Sequence, residues 1–463
     1  MEFEGRNNLD RSKQLGEEKI LSLLIKFSIP AIIGMLVNAL YNVVDRIFIG
    51  NGVGSDGIAG AAIGFPIMLI MMAFNMLIGL GANSLVAIRL GEQKKEEAEQ
   101  IMGNAFVLLV ALSLVITVLG LVFLDPLLKL FGASEAVLPY ARVYMRIVLM
   151  GSIFQSIGMG MNNFIRSEGN PRIAMVTMLI GAILNTILDP LFIFVFDWGI
   201  AGAAYATIIS LAISAAWVLY HFVYGKSVLK LHIKNFKLKL GVIGGIIAIG
   251  AAPFMMQFAA SILNAIMNRS LSTYGGDVAV SGMSAVMSIT MLFLMPIFGI
   301  NQGVQPIIGY NYGAHKYDRV KEALKLGIIA ATIVATFGYV ITRIFPVQLI
   351  SIFNSKDAEL IAFGSHALKI YLTFMPVIGF QIVSSNYFQA VGKPVQAGLL
   401  SLSRQVLILI PAMLILPRFF GTDGVLYAGP LSDLVSSAIT GLLLFYELRH
   451  LDDRHNDMQL NEI

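Results

Sequence analysis

The sequence predicts an all-α integral membrane protein of about twelve transmembrane helices, in two six-helix lobes related by a pseudo-two-fold axis along the membrane normal. Three observations carry this reading. First, 57% of the 463 residues are hydrophobic and only 13% charged, where a soluble domain carries about 25% charged residues. Second, residues 57–88, 198–225, 241–268 and 278–314 contain no Asp, Glu, Lys or Arg, and each run exceeds the roughly 20 residues that cross the hydrocarbon core as a helix. Third, the second half of the chain repeats the first.

Helices rather than a barrel follow from the lack of polar-inward alternation in these runs, since only helices and closed barrels satisfy their backbone in lipid. Apolar spans between charged or Gly/Pro-rich breaks centre near residues 38, 73, 113, 151, 185, 212, 254, 294, 335, 374, 408 and 435. Basic residues collect on alternate sides of them. Lys13, Lys19 and Lys26 precede the first span, Lys94 and Lys95 follow the second, and Arg166 and Arg172 follow the fourth. Lys226, Lys230, Lys234, Lys237 and Lys239 follow the sixth, and Lys316, Arg319 and Lys321 the eighth. The positive-inside rule makes these sides, and both termini, cytoplasmic. The first 19 residues are polar and lack a signal-peptide core, so a multi-pass protein of the cytoplasmic (inner) membrane is expected. The net charge of +4 resides in these loops, so it reports orientation and implies no nucleic-acid partner. With no cysteine, disulfide and thiolate chemistry are excluded.

The repeat runs at an offset of about 222 residues. Pro30 answers Pro253, Asp45-Arg46 answers Asn268-Arg269, and "LLKLFG" at 127–132 answers "LISIFN" at 349–354. Gly169-x-Pro171 answers Gly392-x-Pro394, and Gly199-x-x-Gly202-x-x-Tyr205 answers Gly421-x-x-Gly424-x-x-Tyr427. Six spans per repeat is an even number, so the halves share one orientation, and transporters often bind substrate where such repeats meet. The expected organisation is a cytoplasmic N-terminal segment (1–25), a first lobe (26–225), a basic linker (226–240), a second lobe (241–447) and a cytoplasmic tail (448–463). The linker alternates basic with apolar residues, as does a segment lying on an anionic membrane surface.

Two carboxylates sit inside the first lobe's spans. Asn38, Tyr41, Asn42 and Asp45 are spaced i, i+3, i+4, i+7 and share one helix face, with Arg46 turned about 100° from Asp45. In "LNTILDPLF", Asn185 and Asp189 are one turn apart and Pro190 follows. Pro190 cannot donate a backbone hydrogen bond and should kink its helix, freeing the carbonyl near Thr186. Asp45 lies 19 residues beyond Lys26 and Asp189 17 beyond Arg172, roughly 25–29 Å at 1.5 Å per residue, so both acids should reach a similar height toward the outer leaflet.

An ionisable residue at membrane depth is by default a functional hypothesis. The repeat supplies an internal control: Asn268 replaces Asp45, and the neighbourhood of Pro411 holds no acid to match Asp189. The scaffold is duplicated while the charge is not, which favours a dedicated ion site in the first lobe. Two acids in a poorly solvated cavity resist ionising together, so the pair can take up a proton or a monovalent cation. The competing reading is that Asp45 and Asp189 cap helices or pair with Arg142 and Arg146. Arg146 has a basic counterpart in Lys369, which suits a snorkelling role for both near the outer surface.

At these residues the chain resembles the multidrug and toxic compound extrusion (MATE) family, over nearly its whole length. The resemblance rests on "YNVVDRIFIG" after Pro30, "LNTILDP", "MPIFGINQGVQPIIGYNYGA" at 295–314 and "GKP" at 392–394. It implies two six-helix lobes facing a central cleft and alternating access by rocking of the lobes. It also implies a coupling network at Asp45 and Asp189 with Tyr41, Tyr144, Asn185 and Thr207, and Pro30 as the first-span bend. Members with a seventh-helix coupling glutamate carry it about eight residues after that helix's proline. Here Ser261 stands there, which leaves coupling to the first lobe.

Asn301, Gln302 and Gln305 fall in a charge-free helix between Pro296 and Pro306, where they suit either cleft lining or polar contact between helices. The 23 methionines suit either a core or a cavity that repacks around varied cations. An enzyme is not supported: the six histidines show no metal spacing, and neither GxSxG nor a P-loop is present. A channel fits two non-equivalent halves poorly. A flippase for lipid-linked sugars shares the superfamily but usually has extra helices and a more basic cleft. The expected function is therefore a monomeric exporter of amphipathic organic cations, needing no cofactor or metal centre, embedded in lipid, and driven by protons, with sodium as the alternative ion, at Asp45 and Asp189.

Overall fold

The structure, a computed structural model, describes residues 12–353 and 357–461; the side chains of Asn42, Ser55, Asp56, Asp277 and residues 452–461 lie outside that description. The cytoplasmic segment and tail expected at the two ends are thus described only from Ser12 and as far as Asn461. The first half contains α1 (Ile20–Gly52), α2 (Ser55–Gly91), α3 (Lys95–Val122), α4 (Leu138–Met150), α5 (Ser152–Ser167), α6 (Pro171–Pro190) and α7 (Gly199–Val223). The second half contains α8 (Leu240–Gly276), α9 (Val278–Gly313), α10 (Tyr317–Ile344), α11 (Ala358–Tyr371), α12 (Met375–Ala390), α13 (Pro394–Phe420) and α14 (Thr422–Asn461). Among the described residues, ten helices are long and apolar enough to span a membrane, and two bent pairs, α4–α5 and α11–α12, bring the spans to 12 if each pair is one span. This is the predicted all-α, twelve-span fold.

The fourth and tenth spans were read as single helices; each is instead broken and bent by 52°. In the first, Gly151 stands at the break and packs so closely on Ile208 that a Cβ would overlap it. In the second, Pro376 sits in the opening turn of α12, where it needs no backbone donor. The repeated Gly-x-x-Gly motif also acquires a physical meaning. Gly199 and Gly421 turn the chain at φ of 53° and 58°, a region that a Cβ disfavours. Gly202 and Gly424 then let α7 and α14 press against the backbone carbonyls of Phe192 and Leu416.

The chain forms two compact units, and their division does not follow the linker. Residues Ile29–Phe254 belong to the first unit, whereas Lys19–Ser28 and Met255–Ile463 belong to the second. The exchanges occur inside α1 and α8, one residue from Pro30 and Pro253 respectively. Close backbone packing fixes both exchanged segments. In the first unit Gly81 of α2 lies against Ile246 and Gly250 of α8; in the second, Gly303 of α9 lies against Ser28 of α1, 2.6 Å separating a Cβ there from the serine hydroxyl. The two contacts are the same contact, repeated at the offset seen in the sequence.

The linker is fastened to the first unit rather than held by surface charge alone. Glu168, fully buried, accepts hydrogen bonds from the amides of Val228 (3.0 Å) and Leu229 (3.3 Å), the Ser227 hydroxyl and the Asn170 amide, and pairs with His221. Glu99 accepts from the Lys230 amide (3.0 Å). Asn104 donates to the Asn235 and Lys237 carbonyls and accepts from the Lys239 amide (2.8 Å). Val228 and Leu229 are buried while Lys226, Lys234, Lys237 and Lys239 are exposed together with Ile233 and Leu238, so the start of the linker faces the protein and the rest presents basic and apolar side chains outward.

Candidate functional site

Asp45 enters the first unit from α1, and Asn185 and Asp189 from α6, one helical turn apart. Tyr144 comes from α4, and Thr207 from α7. Asp189, Asn185 and Tyr144 are buried, Tyr41, Asp45 and Thr207 half-buried. Asp45 and Asp189 lie close enough for each carboxyl group to act on the other electrostatically, and Tyr144 lies within electrostatic range of Asp45, Tyr41 and Asp189. These residues, which the sequence and the family resemblance drew from four separate stretches, thus share one unit. Asn42, the remaining member of the α1 polar stripe, has its side chain outside the described residues.

The hydrogen bonds inside this cluster run one way. Thr207 spends its only proton on the Ala203 carbonyl (3.0 Å), so its oxygen accepts from the Asn185 amide (3.4 Å). The same amide nitrogen donates to Asp189 Oδ1 (3.3 Å). With the donors used, Asp45 Oδ1, Asp189 Oδ2 and Asn185 Oδ1 remain buried acceptors without a partner. An unsatisfied buried polar atom costs about 1–3 kcal/mol, more when charged. Three buried acceptors without donors, two of them on neighbouring carboxyl groups, make a site short of hydrogen or positive charge. Two neighbouring carboxylates repel each other, so a proton or a cation held between them would relieve the site.

The competing pairings are not the ones formed. Arg142 turns to Asp125, in the first turn of the short helix Leu124–Leu130 that precedes α4, and donates twice to its carboxylate, at 2.7 and 2.6 Å; Arg146 is exposed and acts on the same aspartate. Arg46 is exposed and reaches Asp45 only through its charge. α6 does not end at Pro190 as an ordinary helix. Its last turn widens into a π turn over Leu191–Val195, with Phe196 bonding back to the Leu191 carbonyl, as expected where a proline removes a donor and displaces the i−4 ladder. α1, by contrast, continues as helix through Pro30.

Asn301 and Gln305 are buried on α9 of the second unit, and Gln302 is half-buried there. Sequence reasoning missed a second polar centre in that unit. Arg404, within a π turn of α13 (Ser403–Leu409), donates from Nε to Asp433 Oδ1 of α14 at 2.7 Å. The available signal was one aspartate in "PLSDLVSS" and one arginine in "LSRQVLIL", each alone in an apolar span.

Known proteins match this architecture throughout. The MatE family model matches residues 30–191 and again 253–414, once per repeat. The multidrug export protein MepA of Staphylococcus haemolyticus (strain JCSC1435) is 26% identical over 434 residues, 94% of this chain and 95% of that protein. MepA of Staphylococcus aureus (strain MSSA476) is 26% identical over 430 residues, covering 93% and 94%. Among solved structures, a MOP superfamily transporter from Pyrococcus furiosus superimposes with a TM-score of 0.90 at 26% identity, covering 96% of this chain and 99% of that one. An outward-facing multidrug resistance MATE family transporter gives 0.90 at 25% identity over the same shares. With both halves matched by the family model, on a twelve-span fold shared with those structures, the chain belongs to the MatE family and is a multi-pass membrane transporter, not an enzyme.

Proposed function

We propose that this transporter is a multidrug exporter that moves amphipathic organic cations out of the cell in exchange for protons, with sodium as the alternative ion. The carrying observation is the donor-poor acid pair: Asp45 and Asp189 lie within electrostatic range of each other, and one buried oxygen of each, with Asn185 Oδ1 beside them, lacks a hydrogen-bond partner. A proton or a monovalent cation supplies what the cluster lacks, and losing it restores the deficit. The two states of the site therefore favour different arrangements of α1 against α6, which is how ion binding biases a conformational equilibrium. Asn185 and Thr207 fix the Asp189 carboxyl for this exchange, and Tyr144 covers it. The names of the similar export proteins support the multidrug reading, and the loop charges support an inner-membrane protein with both termini cytoplasmic. Substrate, ion and lipid are the partners this function requires; a single chain suffices for it.

The test is efflux of a fluorescent cationic dye from proteoliposomes, with a proton or a sodium gradient imposed separately. Wild type should transport under one gradient, and Asp45→Asn and Asp189→Asn should each abolish gradient-driven efflux while remaining folded and inserted. Asn268→Asp should not rescue Asp45→Asn. Wild-type rates in either aspartate variant would refute the assignment. Absence of dye movement in the wild type under both gradients would favour the flippase reading of the same superfamily.

A further inference from the structure

The polar centre of the second unit is built from the helices that correspond to those of the first. Tyr144, Asp189 and Thr207 come from α4, α6 and α7; Tyr371, Arg404 and Asp433 come from α11, α13 and α14. Both centres adjoin a π turn, at Leu191–Val195 and Ser403–Leu409, and both hold a buried tyrosine, Tyr371 interacting electrostatically with Arg404 and Asp433. Gly429 keeps the Tyr371 ring against α14: a Cβ there would stand 2.6 Å from a ring carbon. The widened turn exposes the Arg404 carbonyl, which accepts from Ser432 (2.6 Å). Within their own helices the two centres differ in register: Arg404 is 10 residues into α13 and Asp189 18 into α6, a difference of about 12 Å along the helix at 1.5 Å per residue.

The charge balance of the two centres is opposite. In the first, carboxylate oxygens lack partners and no basic side chain donates to them among the described residues. In the second, a 3%-exposed carboxylate receives a guanidinium, and neither Asp433 oxygen is a buried atom without a partner. The other charged groups along α14 stand far off: Asp423, paired with His366, is ten residues away, and Glu447, paired with Lys393, is fourteen. Those separations along a helix are about 15 and 21 Å; among the described residues, the ionisable groups that act on Asp433 are Arg404 and Tyr371.

We propose that Asp433 is a cation-binding carboxylate of the second unit whose ligand is tethered: the Arg404 guanidinium occupies the place that a proton or a sodium ion would otherwise take, so the second unit is held permanently in its loaded state. The pair is then more than a packing element. Removing one member of a buried ion pair leaves an uncompensated charge, and the specific claim is that a free proton or monovalent cation repairs that loss at Asp433.

The test uses the full-length protein carrying Asp45→Asn and Asp189→Asn, so that the first unit takes up no ion and the outcome is independent of the proposed coupling there. Thermal unfolding in detergent is followed from mildly acidic to mildly alkaline pH, in sodium chloride or choline chloride at matched ionic strength. Adding Arg404→Ala should lower the midpoint in alkaline choline and restore it in acid or in sodium, with one more bound proton or sodium ion per molecule than the parent. Arg404→Lys and the double substitution Arg404→Gln/Asp433→Asn should show no such response. A pH and sodium dependence of Arg404→Ala equal to the parent's would overturn the proposal, as would the same response in the double substitution. So would an Arg404→Ala protein that cannot be recovered in acid or sodium when the double substitution folds.

Discussion

Glu168 offers the sharpest test of how the linker is held. Its carboxylate accepts from the Val228 and Leu229 amides, from Ser227 and from Asn170, and pairs with His221. Ser227 retains a second acceptor in the Leu229 carbonyl, but the two amides belong to residues that are 2% and 0% exposed. Glu168→Ala leaves them without an acceptor and beyond the reach of water. At about 1–3 kcal/mol per orphaned buried group, the cost of opening the linker should fall by about 4 kcal/mol, or roughly a thousandfold in the opening equilibrium. Native-state hydrogen exchange reads this directly: Val228 and Leu229 should exchange roughly a thousandfold faster in Glu168→Ala, while amides in the middle of α3 keep their protection. Glu168→Gln retains an oxygen for both amides and turns its new donor toward Asn170, a single mismatch worth about 1 kcal/mol and roughly a fivefold effect. Protection of the two amides in Glu168→Ala within tenfold of wild type would refute the reasoning.

Two further outcomes are expected. The double hydrogen bond from Arg142, opposed by a smaller desolvation and aided by its charge, holds the Asp125 carboxyl below its ordinary value of 3.8. A depressed acid stabilises the fold above its unfolded value and loses that contribution as pH falls through the folded one. The gap in unfolding midpoint between wild type and Asp125→Asn should therefore be present at neutral pH and close below pH 3.8, and a gap that persists there would refute the role given to Arg142. A Cβ at Gly250 would collide with the Leu77 backbone carbonyl, so Gly250→Ala should reduce the monodisperse yield in size-exclusion chromatography; Gly244→Ala, with open space around it, should not. Equal yields would mean that α2 and α8 separate at little cost.

The span pattern was legible because lipid enforces it: long runs without charge have few other uses. The pairing of Asp45 with Asp189 was legible too, since counting residues from the basic loops set both at one height and the repeat marked them as unmatched. What escaped was set by tertiary contact. The bends at Gly151 and before Pro376 hide in continuous apolar text. The linker clasp joins residues 60 and 131 positions apart, and nothing local in "SEGNP" announces that its glutamate is buried. Arg404 and Asp433 escape a sequence comparison because the repeat offset carries Asp189 onto Pro411, where no acid stands. The acid instead stands on the next helix, α14.

The exchange of residues 19–28 and 240–254 between the units bears on how such a chain could have arisen. Each unit is completed by the opening half-helix of the other repeat, through the mirrored seats of Ser28 on Gly303 and Gly250 on Gly81. A gene encoding one repeat alone would make a protein with an empty seat and an unclaimed arm. Two copies of it would satisfy both by trading arms, as domain-swapped dimers do. Fusion of the copies required only a connector, and residues 226–239, clasped by Glu168, Glu99 and Asn104, are that connector. The same logic forecasts the behaviour of the modern chain when cut there: the separated halves should be insoluble alone and should recombine into an interlocked, full-length-like particle when produced together.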